Sequence, residues 1–163
     1  MKMACAKPTD THDEWQPTAA SAIFRGVGRL LRAHGLAAIG EVALASGRRA
    51  DVVGIAGSGE IWIVEIKSCL EDFRADRKWP EYRAFCDRLF FAVAPAFPHQ
   101  VLPEDTGLVV ADSYGGEILR AAPEHRLGPA RRKAMTLRLL RTAALRLHGM
   151  IDPQSDLETL PRS

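Results

Sequence analysis

At 163 residues the chain fits one domain of ordinary size, long enough to bury a core without disulfides or a structural metal. Hydrophobic residues at 47% and charged residues at 26% exclude the disordered and fibrous classes. The net charge of +2 names no partner, but its distribution is uneven: Arg126, Arg131, Arg132, Lys133, Arg138, Arg141 and Arg146 lie between Arg126 and His148 with no acid among them, a C-terminal basic block.

Residues 1–17 are polar, lack an apolar period and end in Gln16-Pro17, which predicts a loose arm. A first helix follows: Ile23, Val27, Leu30 and Leu31 recur at helical spacing, Thr18 or Ser21 can cap the start, and Gly35 can stop it. LAAIGEVALA, ADVVGIA and EIWIVEIKS are β-prone runs separated by Ser46-Gly47 and Gly57-Ser58-Gly59, and read as a three-stranded meander. Ser68 and Glu71 have capping-box spacing for a second helical region, interrupted near Trp79-Pro80, where a proline suits the first turn of a new piece, EYRAFCDR. RLFFAVA fits a strand covered on both faces, and a strand–helix–strand order predicts parallel pairing. GLVVAD and GEILRAA read as a closing hairpin, and residues 129–148 as a final helix ending at Gly149.

The order is therefore α-β-β-β-α-β followed by β-β-α, an α/β fold with a central mixed β-sheet flanked by helices. We expect one domain over residues 18–150 and a tail over 151–163. No apolar run reaches membrane-spanning length, and the N-terminus has no signal-peptide core, so the expectation is a cytoplasmic protein with no membrane partner. Cys5, Cys69 and Cys86 lack paired zinc-site spacing and read as reduced thiols, with packing roles for Cys69 and Cys86.

The third strand, Ile61-Trp-Ile-Val-Glu-Ile-Lys67, is an apolar run into which one acid and one base are inserted. Charges in such a strand need a partner or a wet cleft, because stranding them unpaired costs several kcal/mol. Alternation puts Glu65 and Lys67 on one face, about 7 Å apart along the strand. A hairpin through Gly57-Ser58-Gly59 brings Asp51, in Ala50-Asp-Val-Val, alongside them. Two carboxylates can hold Mg²⁺ or Mn²⁺, which suits phosphodiester hydrolysis, and Lys67 can orient a water or stabilise developing charge. A structural salt-bridge cluster at a sheet edge is the alternative reading of the same three residues.

This arrangement resembles the PD-(D/E)XK nuclease superfamily, the restriction-endonuclease-like fold: Asp51 matches the second-strand acid and Glu65-Ile66-Lys67 the (D/E)XK element, with Ala50 in place of the usual proline. Such nucleases often carry a preceding acid on helix one, whereas no Asp or Glu lies between Pro17 and Gly40, so Glu41 on strand one is the substitute third metal ligand. A closer resemblance is to the MmcB-like DNA repair family of bacteria, carried by Val64-Glu-Ile-Lys-Ser68, Asp76-Arg-Lys-Trp-Pro-Glu-Tyr82, Cys86-Asp-Arg88 with Phe91-Ala-Val93, and Gly107-Leu-Val-Val-Ala-Asp112. It implies a role in DNA damage repair on a nuclease-like fold, with DNA and other repair proteins as partners. A non-catalytic DNA-binding or adaptor module is the second reading, and an RNA-binding protein a third.

Lys78 and Tyr82 are expected to contact DNA, with core packing the alternative for Trp79. Arg131, Arg132 and Lys133 head a basic helix that can follow a phosphate backbone, while Leu137, Leu140, Ala144 and Leu147 form a stripe expected to pack on the sheet. Asp87 reads as a local partner for a base. A homodimer would pair one site per chain for cutting both strands.

Overall fold

The computed structural model describes residues 18–153; the expected N-terminal arm and most of the expected tail lie outside them. The chain divides into two compact units, one ending at Leu127 and the other beginning at Gly128, where the sequence reading drew one domain.

The first unit opens with α1 (Ala19–Ala33), whose Thr18 side chain accepts a hydrogen bond from Ser21 N and satisfies one of the free N–H groups of the first turn. Ile23, Val27, Leu30 and Leu31 are all buried, the face the spacing predicts. A meander follows: β1 (Leu36–Ala43), β2 (Arg49–Ala56) and β3 (Ile61–Lys67), paired antiparallel, with Gly47 and Gly59 at positive φ in the two turns, where a side chain would be strained. A crossover through α2 (Leu70–Ala75) and a 3₁₀ segment, Trp79–Phe85, carries the chain to β4 (Arg88–Val93), parallel to β3. β5 (Gly107–Ala111) pairs parallel with β4, and β6 (Gly116–Arg120) closes an antiparallel hairpin on β5. The six strands lie side by side in chain order, in a mixed sheet whose pairings are mostly antiparallel.

Because side chains alternate, successive residues of β4 fill opposite cores. Phe90 packs under α1 with Val52, Val64 and Val109, while Phe91 faces the crossover with Val93, Leu108, Phe73 and Trp79. The rings of Phe73 and Trp79 meet that of Phe91 edge-on, at centroid distances of 5.5 and 5.4 Å, so Trp79 takes the core role that was its alternative. Each fully buried phenylalanine contributes roughly 2–3 kcal/mol by leaving water. Midway along α1, a Cβ on Gly26 would collide with the carbonyls of Asp112 and Gly115; its absence lets the helix close on the β5–β6 turn. Arg29 Nη1 then donates to the Ser113 and Tyr114 carbonyls at 3.0 and 2.8 Å.

Local expectations fail in two places in this unit. No capping box forms at α2: Cys69 is the N-cap, and Ser68 Oγ donates to Asp72 Oδ2 at 2.6 Å instead. The expected helical piece around EYRAFCDR is a 3₁₀ segment that starts at Trp79 with Pro80 in its first turn. Cys86 is buried, whereas Cys69 is half-buried.

The second unit contains α3 (Pro129–Ile151), with Pro129 at its first position and two residues beyond the expected stop at Gly149. Its buried residues are Met135 and Leu139; Leu137, Leu140 and Leu147, expected to pack, are exposed. The correction follows from helical geometry, since the two sets lie on opposite sides of one helix that is apolar on both. Among the described residues no helix is long and apolar enough to cross a membrane.

Asp87 ties the first unit together. Its fully buried carboxylate accepts from Ile61 N at 2.7 Å and from Leu127 N at 2.8 Å, and its own carbonyl accepts from His125 N, so one side chain joins β3 to the segment leaving the sheet. It is structural rather than part of a site. Asp87→Ala leaves two buried donors unsatisfied and is expected to lower stability by about 3 kcal/mol. Asp87→Asn, which keeps one acceptor, should lose less. Urea unfolding midpoints at unchanged slope measure both, and a wild-type midpoint for Asp87→Ala contradicts the assignment.

Candidate active site

The site forms where β2 and β3 part. Their regular register ends at Val52 and Val64, and the next pair in that register is Asp51 with Glu65. There the side chains take over from the backbone: Asp51 N donates to Glu65 Oε1 at 3.2 Å, and Ile66 N donates to Asp51 Oδ2 at 2.8 Å. Each carboxylate thus accepts from a backbone N–H through one oxygen, and each keeps a second oxygen.

Glu65 is 3% exposed and Lys67 is 6% exposed, so β3 buries both charges on one face as alternation requires. Lys67 Nζ donates to Asp76 Oδ2 at 2.7 Å. Asp76, at the end of α2, also lies 3.7 Å from Arg48 Nη1 and accepts from Lys78 N. Burial works against the Asp76 charge, but the Lys67 hydrogen bond and the cations around it outweigh that and hold the carboxyl below its ordinary range. For Glu65 the balance is opposite: burial, reinforced by the Asp51 charge, pushes its pKa up to about 7. Burial also raises Asp51. Lys67 lowers both carboxyls but bonds directly to Asp76, and its effect on the pair does not offset burial.

Asp51 opens onto a cleft of about 210 Å³ lined by Glu41, Ile66, Ser68 and Asp72, with Ala20 and Phe24 of α1 as its apolar wall. Glu41 stands opposite Asp51 in the β1–β2 register, but the ladder skips that pair and Glu41 has φ 50°, the left-handed region that a residue with a side chain enters at a cost of about 1–2 kcal/mol. A Cβ on the neighbouring Gly40 would run into the Phe24 ring, which would have to shift. The Glu41 carboxylate is exposed and lies 3.6 Å from Arg49 Nη2. Among the described residues no three Asp, Glu, His or Cys side chains converge closely enough to hold an ion by themselves, so Glu41 lines the cleft without joining the Asp51–Glu65 pair. A larger groove of about 620 Å³ beside the β5–β6 turn, lined by His99, Asp112 and Tyr114 among others, contains none of the expected site residues.

Of the expected DNA contacts, Lys78 is exposed beside Asp76. Tyr82 is a correction: it is buried, its hydroxyl donates to the Arg49 carbonyl at 3.0 Å, and the Arg48 guanidinium lies over its ring, so no face is left for a base. It underlies the site. Burial and the nearby Glu65 charge push its pKa up to about 12. Arg131 and Lys133 are exposed and Arg132 half-buried in the first turns of α3, in the second unit. Sequence reasoning missed Asp76 and Arg48. Arg48 lies three residues before Asp51, and Asp76 opens the Asp76-Arg-Lys-Trp-Pro-Glu-Tyr82 string, which was weighed for its aromatics and not for its acid.

The family described as DNA repair protein MmcB-like matches residues 7–154 of this sequence. The chain belongs to the MmcB-like DNA repair family. A solved structure, the SPO1766 protein of unknown function from Silicibacter pomeroyi, is 45% identical, with 88% of this chain and 97% of that one covered and a TM-score of 0.82. No curated protein matches. Every site residue named above, from Glu41 to Tyr82, falls within the span that the family matches.

The raised Glu65 pKa sets a pH dependence. Between an ordinary value of 4.5 and about 7 the folded protein holds a proton that the unfolded chain has released, so stability is greatest below that window and falls as pH rises through it. The loss is on the order of 3 kcal/mol at most. Asp51 adds in the same direction, while lowered Asp76 acts at more acid pH and with opposite sign. Denaturant unfolding across pH 4.5–7.5 is expected to show this slope in metal-free wild type and a flatter one in Glu65→Gln; parallel curves would contradict the assignment.

Proposed function

We propose that this member of the MmcB-like family is a Mg²⁺- or Mn²⁺-dependent deoxyribonuclease of the PD-(D/E)XK type acting in DNA repair, with Asp51 and Glu65 as metal ligands and Lys67 as the catalytic base or charge stabiliser. The observation that carries it is the pairing of a buried and a half-buried carboxylate, Glu65 and Asp51, at the parting of β2 and β3, with Lys67 on the same face two residues on.

The donors fit a hard divalent cation. Asp51 and Glu65 retain one oxygen each, Ile66 lines the same cleft, and Mg²⁺ commonly takes one or two carboxylates, completing its shell with water and substrate phosphate. When bound, such an ion polarises the scissile phosphate and makes a bound water a better nucleophile. Asp51 and Glu65 fix its place, because their backbone hydrogen bonds hold both side chains in single orientations. Lys67 would act beside the reacting phosphate, and its hydrogen bond to Asp76 directs the side chain. The strained Glu41 supplies a further carboxylate at the cleft mouth, the substitute for an acid on α1. Lys78 and the Arg131–Lys133 cluster supply phosphate contacts, so DNA affinity should fall steeply with salt.

A second reading, a non-catalytic DNA-binding or adaptor module in repair, is favoured by one observation: the Lys67–Asp76 ion pair is nearly closed to solvent. Cleavage separates the two. With single-stranded, duplex, nicked, flap and branched DNAs in Mg²⁺ or Mn²⁺, wild type is expected to cut at least one substrate. Lys67→Ala is expected to lower the rate about a hundredfold or more while still binding DNA. DNA binding by wild type without cleavage anywhere in the panel would decide for the adaptor.

A further inference from the structure

We infer that the Leu137–Ile151 face of α3 is a docking surface for an acidic amphipathic helix of another protein. Leu137, Leu140, Ala144, Leu147 and Ile151 follow one another at alternating spacings of three and four, the seam of a helix-packing heptad. Four of them are large and exposed: Leu137 49%, Leu140 62%, Leu147 58% and Ile151 74%. The buried residues of the helix, Met135 and Leu139, lie on the opposite side, so the stripe is surplus to the one that α3 already buries.

Single exposed leucines are ordinary, but an unbroken seam spanning about 21 Å of helix is not. Its surroundings decide the occupant. From Arg126 to Ile151 there is no acid, Lys133 continues the same heptad series one turn before Leu137, and Arg141 flanks the seam. A second copy would set one basic helix against another. Nucleic acid would meet the basic flank but leave the leucines in water. A helix with Leu or Ile along its seam and Asp or Glu beside it satisfies both features, burying the stripe and pairing with Lys133 and Arg141.

The test uses the full chain and two synthetic helical peptides of three heptads, alike in their Leu/Ile seam, one with Glu and one with Lys at the flanking positions. Fluorescence anisotropy is expected to show binding of the Glu peptide alone. Leu140→Ser/Leu147→Ser is expected to weaken it about tenfold or more, and Arg141→Ala to flatten its salt dependence. These leucines are exposed, so circular dichroism of the double variant should match wild type. Equal binding of both peptides, or no effect of the double substitution, overturns the proposal. So does sedimentation equilibrium showing a dimer that the double variant abolishes, which would assign the face to a second copy. Loss of duplex-DNA affinity in that variant, without peptide binding by wild type, would assign it to nucleic acid.

Discussion

Where the regular pairing of β2 and β3 ends, the carboxylates of Asp51 and Glu65, in place of backbone carbonyls, accept from the N–H groups of Ile66 and Asp51. That substitution has an electrostatic consequence. It draws two negative side chains into a partly buried corner, where burial raises the proton affinity of both and the Asp51 charge raises that of Glu65 further. Unpaired buried donors cost about 1–3 kcal/mol each, so the geometry is strongly held even though the charges are uncomfortable. The surrounding structure depends on this corner. Tyr82 lies buried beneath it, Arg48 covers Tyr82, and Asp76 pairs directly with Lys67, whose charge still lowers both carboxyls of the pair.

What was legible in the sequence follows from which interactions are local. β3 could be read because a hydrophobic strand with one acid and one base contradicts itself unless the charges are used. Asp51 could be placed beside it because the Gly57-Ser58-Gly59 turn permits little besides a hairpin. Parallel pairing of β3 with β4 followed from the helical crossover. Asp76 was not legible as a site residue: its position depends on where α2 stops, and a helix of six residues leaves too little periodicity in the sequence to place its end. The left-handed Glu41 was hidden for another reason. Nothing in a glutamate's chemistry announces positive φ, and only the break in the β1–β2 pairing opposite Asp51 reveals it.

α3 shows the limit of reading periodicity alone. Met135 and Leu139 make one apolar face; Leu137, Leu140, Ala144, Leu147 and Ile151 make another; and the sequence contains no term that ranks them. The longer and more regular stripe looked like the inward one, yet it is exposed. A helix apolar on two sides with charge of a single sign is poorly explained by solubility. Its composition makes better sense if the helix has one face for its own fold and one for something else.

Membership of the MmcB-like family places the chain among DNA repair proteins, and the chemistry proposed for it turns on whether the Asp51–Glu65 pair takes a divalent ion. Isothermal titration of Mn²⁺ into the full chain tests that most directly, with Asp51→Asn and Glu65→Gln as shape-conserving controls. The account predicts one ion per chain for wild type and its loss in both variants. An absence of binding in wild type, or binding that survives both substitutions, would contradict it.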